Sequence, residues 1–198
     1  MISIFVNSWK VKEIRNKILY TLLILAIVRL GTHIALPGID VLSIKLTQDL
    51  YSSGTLYNII AGGYGSNWSI FAMGIGPYIT SSIIMQLLTV AIPKLEALSK
   101  EGEEGRKKIS SYTRYLTVAL AALQGTGVVL NYRNMMLNNS VGMCVIAVLS
   151  LVAGTVFIMW LAEQITEKGI TNGSSMIIFI NIISNLPMAI RSLYGTGM

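Results

Sequence analysis

The chain's 198 residues are 53% hydrophobic and only 12% charged, with a mean hydropathy of +0.64 and a formal net charge of +6. A composition this apolar excludes an ordinary soluble domain, which needs a charged skin, and predicts an all-α integral membrane protein. The sequence offers no aromatic-basic platform for nucleic acid, so the positive charge reads as topology and contact with anionic lipid headgroups.

A hydrocarbon layer of about 30 Å takes about 20 mostly apolar residues. Five such segments are predicted, at 18–36, 69–92, 115–131, 141–162 and 173–191. The first follows the basic residues Lys10, Lys12, Arg15 and Lys17, as a signal peptide would, but no small-x-small cleavage site comes after it. Arg29 and His33 near its far end are expected to send their polar tips toward the outer interface. Residues 37–68 form a long outer connection. Within it TLYNIIAGG, at 55–63, is apolar enough to enter the membrane and too short to cross it. It reads as a surface loop or as a re-entrant element, and the latter would require a cavity to satisfy its backbone. The charged run 93–114 is an inner turn. Eleven Lys and Arg fall on the N-terminal side and four (Arg29, Lys45, Arg133 and Arg191) on the other, which places the N-terminus in the cytoplasm. The lone Cys144 lies inside the fourth span, so no disulfide framework is available, and the thiol reads as a small apolar filler.

The second span, FAMGIGPYITSSIIMQLL at 71–88, is uncharged yet rich in hydrogen-bonding groups. On a helix, Ile75, Ile79, Ser82, Gln86 and Thr89 fall within roughly 80° of one another, and this face is expected to point inward, with Ile84, Leu87 and Leu88 opposite. Gln86 and Gln124 lie about 10 and 14 Å from the inner ends of their predicted helices, so the two amides are expected at one depth. Ser174, Ile178, Asn181 and Asn185 share a face of the fifth span. Such stripes suit interhelical hydrogen bonding, or a hydrated path narrowed by an apolar collar. No span holds a carboxylate, which weighs against an ion-coupled pump. The sequence also lacks H-E-x-x-H, G-x-S-x-G and a P-loop, so no enzyme and no cofactor is expected. A five-helix inverted repeat of a small-solute secondary transporter stands as the alternative to a channel, and a purely structural subunit as a third reading.

Four runs, LPGID at 36–40, SIFAMGIGPYITSSIIMQLLTV at 69–90, KEGEEGRKKISSYTRY at 100–115 and MWLAEQITEKGITNG at 159–173, resemble the N-terminal half of the SecY family, channel subunits of the bacterial or plastid protein translocon. The resemblance extends over nearly the whole chain. It implies one five-helix half of a ten-helix pseudo-symmetric, passive protein-conducting channel, in a bacterial inner membrane or a thylakoid. It also implies that Ile75, Ile79 and Ile178 belong to a pore ring, whose fourth position falls on Ser174, where the family usually has a bulky apolar residue. A plug is implied at about 52–65, including Thr55, Leu56, Tyr57, Asn58, Ile59, Ile60, Ala61 and Gly62. Thr80, Ser82, Gln86 and Gln124 are implied as polar lining of a lateral gate. The implied partners are the C-terminal half of the channel, SecE and SecG subunits, a SecA ATPase or a ribosome, polypeptides bearing signal sequences, and membrane lipid.

Overall fold

The computed structural model describes residues 11–38, 69–131, 133 and 140–195, with side chains of the last helix described as far as residue 184. The predicted plug at 52–65 lies outside the described residues, as does the side chain of Asn185. Six helices make up the described chain: α1 Lys12–Gly31, α2 Gly76–Ala91, α3 Pro93–Lys100, α4 Glu103–Asn131, α5 Val141–Lys168 and α6 Gly173–Gly195. Among the described residues the one β contact is an isolated antiparallel bridge between Ala35 and Ser69.

Helix α5 is the centre of the bundle and packs on α1, α2, α4 and α6. Its buried positions include Ala147, Leu151, Gly154, Thr155, Ile158, Ala162 and Ile165, which line one broad side of the helix, while Val145, Ile146, Leu149, Phe157 and Trp160 leave the other side apolar and exposed. Among the described residues, α5 alone is long and apolar enough to cross a membrane as a single straight helix. Both α1 and α4 begin in charged turns.

The seam between α4 and its neighbours is built on small residues. Thr113, Thr117, Ala121, Gly125 and Val129 recur every four positions and are all buried, a spacing that brings helix backbones close in a lipid setting. A methyl group placed on Gly125 would lie 3.4 Å from Met73 Sδ and 3.8 Å from Leu151 Cβ. The hydroxyls on this seam are satisfied within their own helices. Thr113 donates to the Ile109 carbonyl at 3.0 Å, Thr117 to Thr113 at 2.7 Å, and Thr155 to Leu151 at 3.0 Å. Returning each proton to the preceding turn removes the cost of an unpaired hydroxyl in an apolar interior.

The second predicted span is divided. Residues 69–75 form turns tied to the end of α1, where the Ile70 amide donates to the Ile34 carbonyl at 3.0 Å. Gly74 adopts φ +56°, a left-handed conformation that suits a residue without Cβ, and Pro77 occupies the first turn of α2, where its missing N–H costs nothing. The helix therefore starts at Gly76 rather than at 69. Its 16 residues span about 24 Å, short of a full crossing. Its other end is set by Pro93. Steric pressure from the ring holds Ile92 extended (φ −108°, ψ 112°), and α3 departs at 101° to α2.

Close approach of the entry segment to α5 explains Gly154, where a Cβ would collide with the Ile70 carbonyl oxygen. Ile24, Leu25, Val28, Phe71, Ile75, Ile158, Leu161, Ile165 and Ile177 then form one apolar cluster joining α1, α5, α6 and the entry to α2. Arg29 differs from expectation. Its Nη2 donates to the Ile180 carbonyl at 2.6 Å, joining α1 to α6.

Candidate functional site

Three of the residues singled out from sequence, Ile79, Ser82 and Ser174, meet on the flank of α2 that faces the link between α5 and α6. Ile75, the residue before the helix, is 4% exposed at the heart of the apolar cluster, with Ile79 and Ile178 packed against that cluster's margin. Beside them lies a chamber of about 180 Å³ lined by Tyr78, Ile79, Ser82, Ile83, Thr166, Asn172 and Ser174. Ile79, Ser82 and Ser174, far apart in sequence, thus border one space.

Local chemistry fixes the far wall of this chamber. Asn172 precedes α6 and acts as its N-terminal cap: its Oδ1 accepts the Ser174 amide at 3.1 Å and the Ser174 hydroxyl at 2.7 Å. Thr166 Oγ1 accepts the Gly173 amide at 2.9 Å and donates to the Ala162 carbonyl at 3.0 Å. A side chain on Gly173 would strike the Ala162 carbonyl oxygen, so the link is held against α5.

A second, larger chamber of about 620 Å³ opens between α2, α3 and α4, lined by Tyr78, Ser82, Met85, Gln86, Thr89, Val90, Ser99, Arg106, Ile109, Ser110 and Thr113. Ser82 and Tyr78 border both spaces. Near them Arg114 Nε donates to Glu163 Oε1 at 2.8 Å, joining α4 to α5, with the carboxylate side chain 15% exposed.

Two expectations are corrected. The inward stripe of α2 is Pro77, Ser81 and Met85, because that side meets the small-residue seam of α4; Ser82 and Thr89 are half-buried at its edge, whereas Thr80 and Gln86 are exposed. Ser81 is held by a bond to the Pro77 carbonyl at 2.8 Å, and Thr80 by one to Gly76 at 3.1 Å. Nor do Gln86 and Gln124 share a level. The antiparallel register of α2 and α4 sets Gly125 beside Met73, whereas Gln86 shares its chamber with Arg106, Ile109, Ser110 and Thr113, and Gln124 is exposed elsewhere. The difference arises because α4 is already helical at Glu103, well before the predicted start at 115. Asn172, Thr166 and Tyr78 escaped the sequence reading, although Asn172 followed by Gly and Ser is a recognisable cap signal. Among the described residues no group of acidic, His and Cys side chains could hold a metal ion.

Helices packed against one long apolar helix, with a second, broken helix left open along one flank and lined there by isoleucine, hydroxyl and amide groups, define an all-α bundle with one side left for other elements. The comparisons are more specific. The SecY family profile matches residues 69–197, and the chain belongs to the SecY family. It is 44% identical to the protein translocase subunit SecY of Streptomyces scabiei over 213 residues, covering 100% of this chain and 49% of that protein. Against the protein translocase subunit SecY of Aquifex aeolicus it is 43% identical over 197 residues, covering 94% and 46%. The chain spans about half the length of the curated relatives it matches. In fold it is similar to a solved protein conducting channel, with TM-score 0.61, 15% identity, and coverage of 87% of this chain and 37% of the other. The same values hold for Sec61 in the canine ribosome-channel complex from the endoplasmic reticulum. Family membership gives the chain a membrane location.

Proposed function

We propose that this chain is the N-terminal half of a passive protein-conducting channel, which moves secretory polypeptides across a membrane and releases transmembrane segments into it. The observation that carries the reading is the meeting of Ile79, Ser82 and Ser174 at one chamber beside the cluster that holds Ile75 and Ile178. An apolar constriction resists ions by dewetting, and uncharged polar walls beside it hold water without trapping a charge. Ile75 anchors the constriction from within the half. Ile79 and Ile178 contribute its margin, with Ser82 and Gln86 in the polar lining of a lateral gate. Gln124 and Thr80 belong to that lining only if the complementary half reaches their exposed sides.

The exposed apolar face of α2, Ile83, Leu87 and Val90, supports a wall completed by another element or by lipid. The complementary half of the channel is the principal partner, with SecE- and SecG-type subunits around it and a SecA-type ATPase or a ribosome supplying the drive. The residues 52–65 act as a plug, the N-terminus is cytoplasmic, and the membrane is a bacterial inner membrane or a thylakoid.

The test replaces Ile79 and Ile178 by serine in the chain assembled with a complementary half in membrane vesicles. Resting ion leak is expected to rise severalfold, and polypeptides with defective signal sequences to be accepted more readily. Unchanged ion tightness together with unchanged signal selectivity would refute the channel reading.

A further inference from the structure

We infer that Arg106 is a charge filter at the inner end of the α2 flank: it meets the residues that border an entering apolar segment, repels Lys and Arg, attracts Asp and Glu, and so biases which end of that segment stays on the inner side. The inference rests on the channel reading and adds to it a specificity-determining residue.

Three observations support it. Position comes first. Arg106 stands in the first turn of α4 and lines the 620 Å³ chamber together with Ser82 and Gln86 of α2. Its place is fixed, because α3 and α4 meet at a tight corner: Gly102 takes φ +82°, and a Cβ on Gly105 would collide with the Leu98 carbonyl oxygen.

Charge pairing comes second. Lys100 pairs with Glu96 at 2.6 Å, Lys108 approaches Glu101 at 4.0 Å, and Arg114 pairs with Glu163 at 2.8 Å. Arg106 has no such partner among the described residues. The nearby Glu103 and Glu104 stand in the first turn of α4, where the helix's unpaired amides favour negative charge.

The surroundings are third. Arg106 is the one charged side chain lining the chamber, and the other lining residues offer hydroxyl, amide, thioether or hydrocarbon groups. A cleft that carries one sign of charge between walls of low dielectric focuses the field instead of cancelling it. Salt screens an exposed charge within about 10 Å, so the guanidinium acts on a segment that passes the chamber and not on one inserting elsewhere.

The experiment uses the chain assembled with a complementary half in membrane vesicles, and a set of single apolar segments that insert in both orientations and carry Lys, Gln or Glu on one flank. Arg106→Glu is expected to shift the orientation ratio of the Lys-flanked segment severalfold toward carrying that flank across, to shift the Glu-flanked segment the other way, and to leave the Gln-flanked one unchanged. Arg106→Gln should give a smaller shift of the same sign, and Arg106→Lys should keep the native ratio. Lys107→Glu makes the same change of charge on the next residue, outside the chamber lining, and should have the weaker effect. Ratios that ignore residue 106 overturn the inference, as do equal shifts from positions 106 and 107. So does an effect of Arg106→Glu that fades in proportion as phosphatidylglycerol in the vesicles is replaced by phosphatidylcholine, since the guanidinium would then act through a lipid headgroup. In each of these cases the segments still insert and the channel reading survives. An assembled chain with Arg106 intact that inserts none of the segments refutes that reading instead.

Discussion

Helices α5 and α2 are both rich in aliphatic residues, yet α5 buries nine of its residues and α2 only three. Along α5 nine residues are buried, Leu151, Ile158 and Ile165 among them at 0% exposure, and even Gly154 is filled by the approach of Ile70, while Val145, Ile146, Leu149, Phe157 and Trp160 form an open apolar side. Along α2 only one stripe is covered, and Leu87 and Val90 remain 65% and 83% exposed. Hydrophobicity alone does not distinguish a scaffold from a wall. What separates them is how much of each helix meets small, closely approaching neighbours. By this measure α5 is the fixed post of the half, and α2 is the surface left for partners, with two chambers along its flank.

The largest expected effect breaks the post. Gly154→Leu would drive a side chain into the Ile70 carbonyl, where backbone rather than a flexible side chain must yield. Overpacking of this kind costs about 3 kcal/mol or more. The variant should fail to accumulate in membranes, or should lose its thermal transition in detergent by a wide margin. The same change at Gly127, where a Cβ would meet nothing within 4 Å, should be tolerated.

That contrast between two glycines of neighbouring helices was invisible in the sequence, and the reason is general. Composition and the length of apolar runs report which segments avoid water, so the α-helical class, α5 and the segment forming α6 were legible. Periodicity reports which residues share a face, and it correctly grouped Ile79 with Ser82. It cannot say which face meets a neighbour, so the buried stripe of α2 was assigned to Ser82 and Gln86 when the small-residue seam of α4 selects Ser81 and Met85. Register is likewise a property of two helices together: Gln86 and Gln124 could be placed at one depth only by assuming where α4 begins. Pro93 was legible as a break, but the 101° bend it produces depends on α3 continuing as a helix. The capping role of Asn172 was written in the sequence, in an Asn followed by Gly and Ser.

The next prediction sharpens the comparison by applying one substitution to both helices. Leu151→Ala removes three carbons from a fully buried site between α4 and α5, and the rigid seam beside Gly125 leaves little room for collapse. A cost of about 2 kcal/mol is expected, at the low end for Leu→Ala because lipid makes the transfer of apolar surface less decisive than the lost packing. Leu87→Ala, on the open face of α2, should change stability by less than about 0.5 kcal/mol in the isolated chain. Denaturation in detergent measures both. If the complementary half covers α2, Leu87→Ala should become costly once that half is present, whereas the cost of Leu151→Ala should stay the same.

The smallest effect concerns the ion pair that joins α4 to α5 near both chambers. Arg114 and Glu163 meet at 2.8 Å with side chains 49% and 15% exposed, so the carboxylate is the more enclosed partner and the guanidinium keeps part of its water. A pair so placed is worth about 1 kcal/mol or less. A double-mutant cycle with Arg114→Gln and Glu163→Gln should therefore return a coupling of that size, and raising the salt concentration should reduce it. Arg114→Gln should also be the more harmful single change, since it leaves an enclosed carboxylate without its cation, whereas Glu163→Gln leaves a guanidinium that water can still reach. Equal costs for the two would mean that the pair fastens the post only from its surface, and that the inner end of α2 can move without disturbing it.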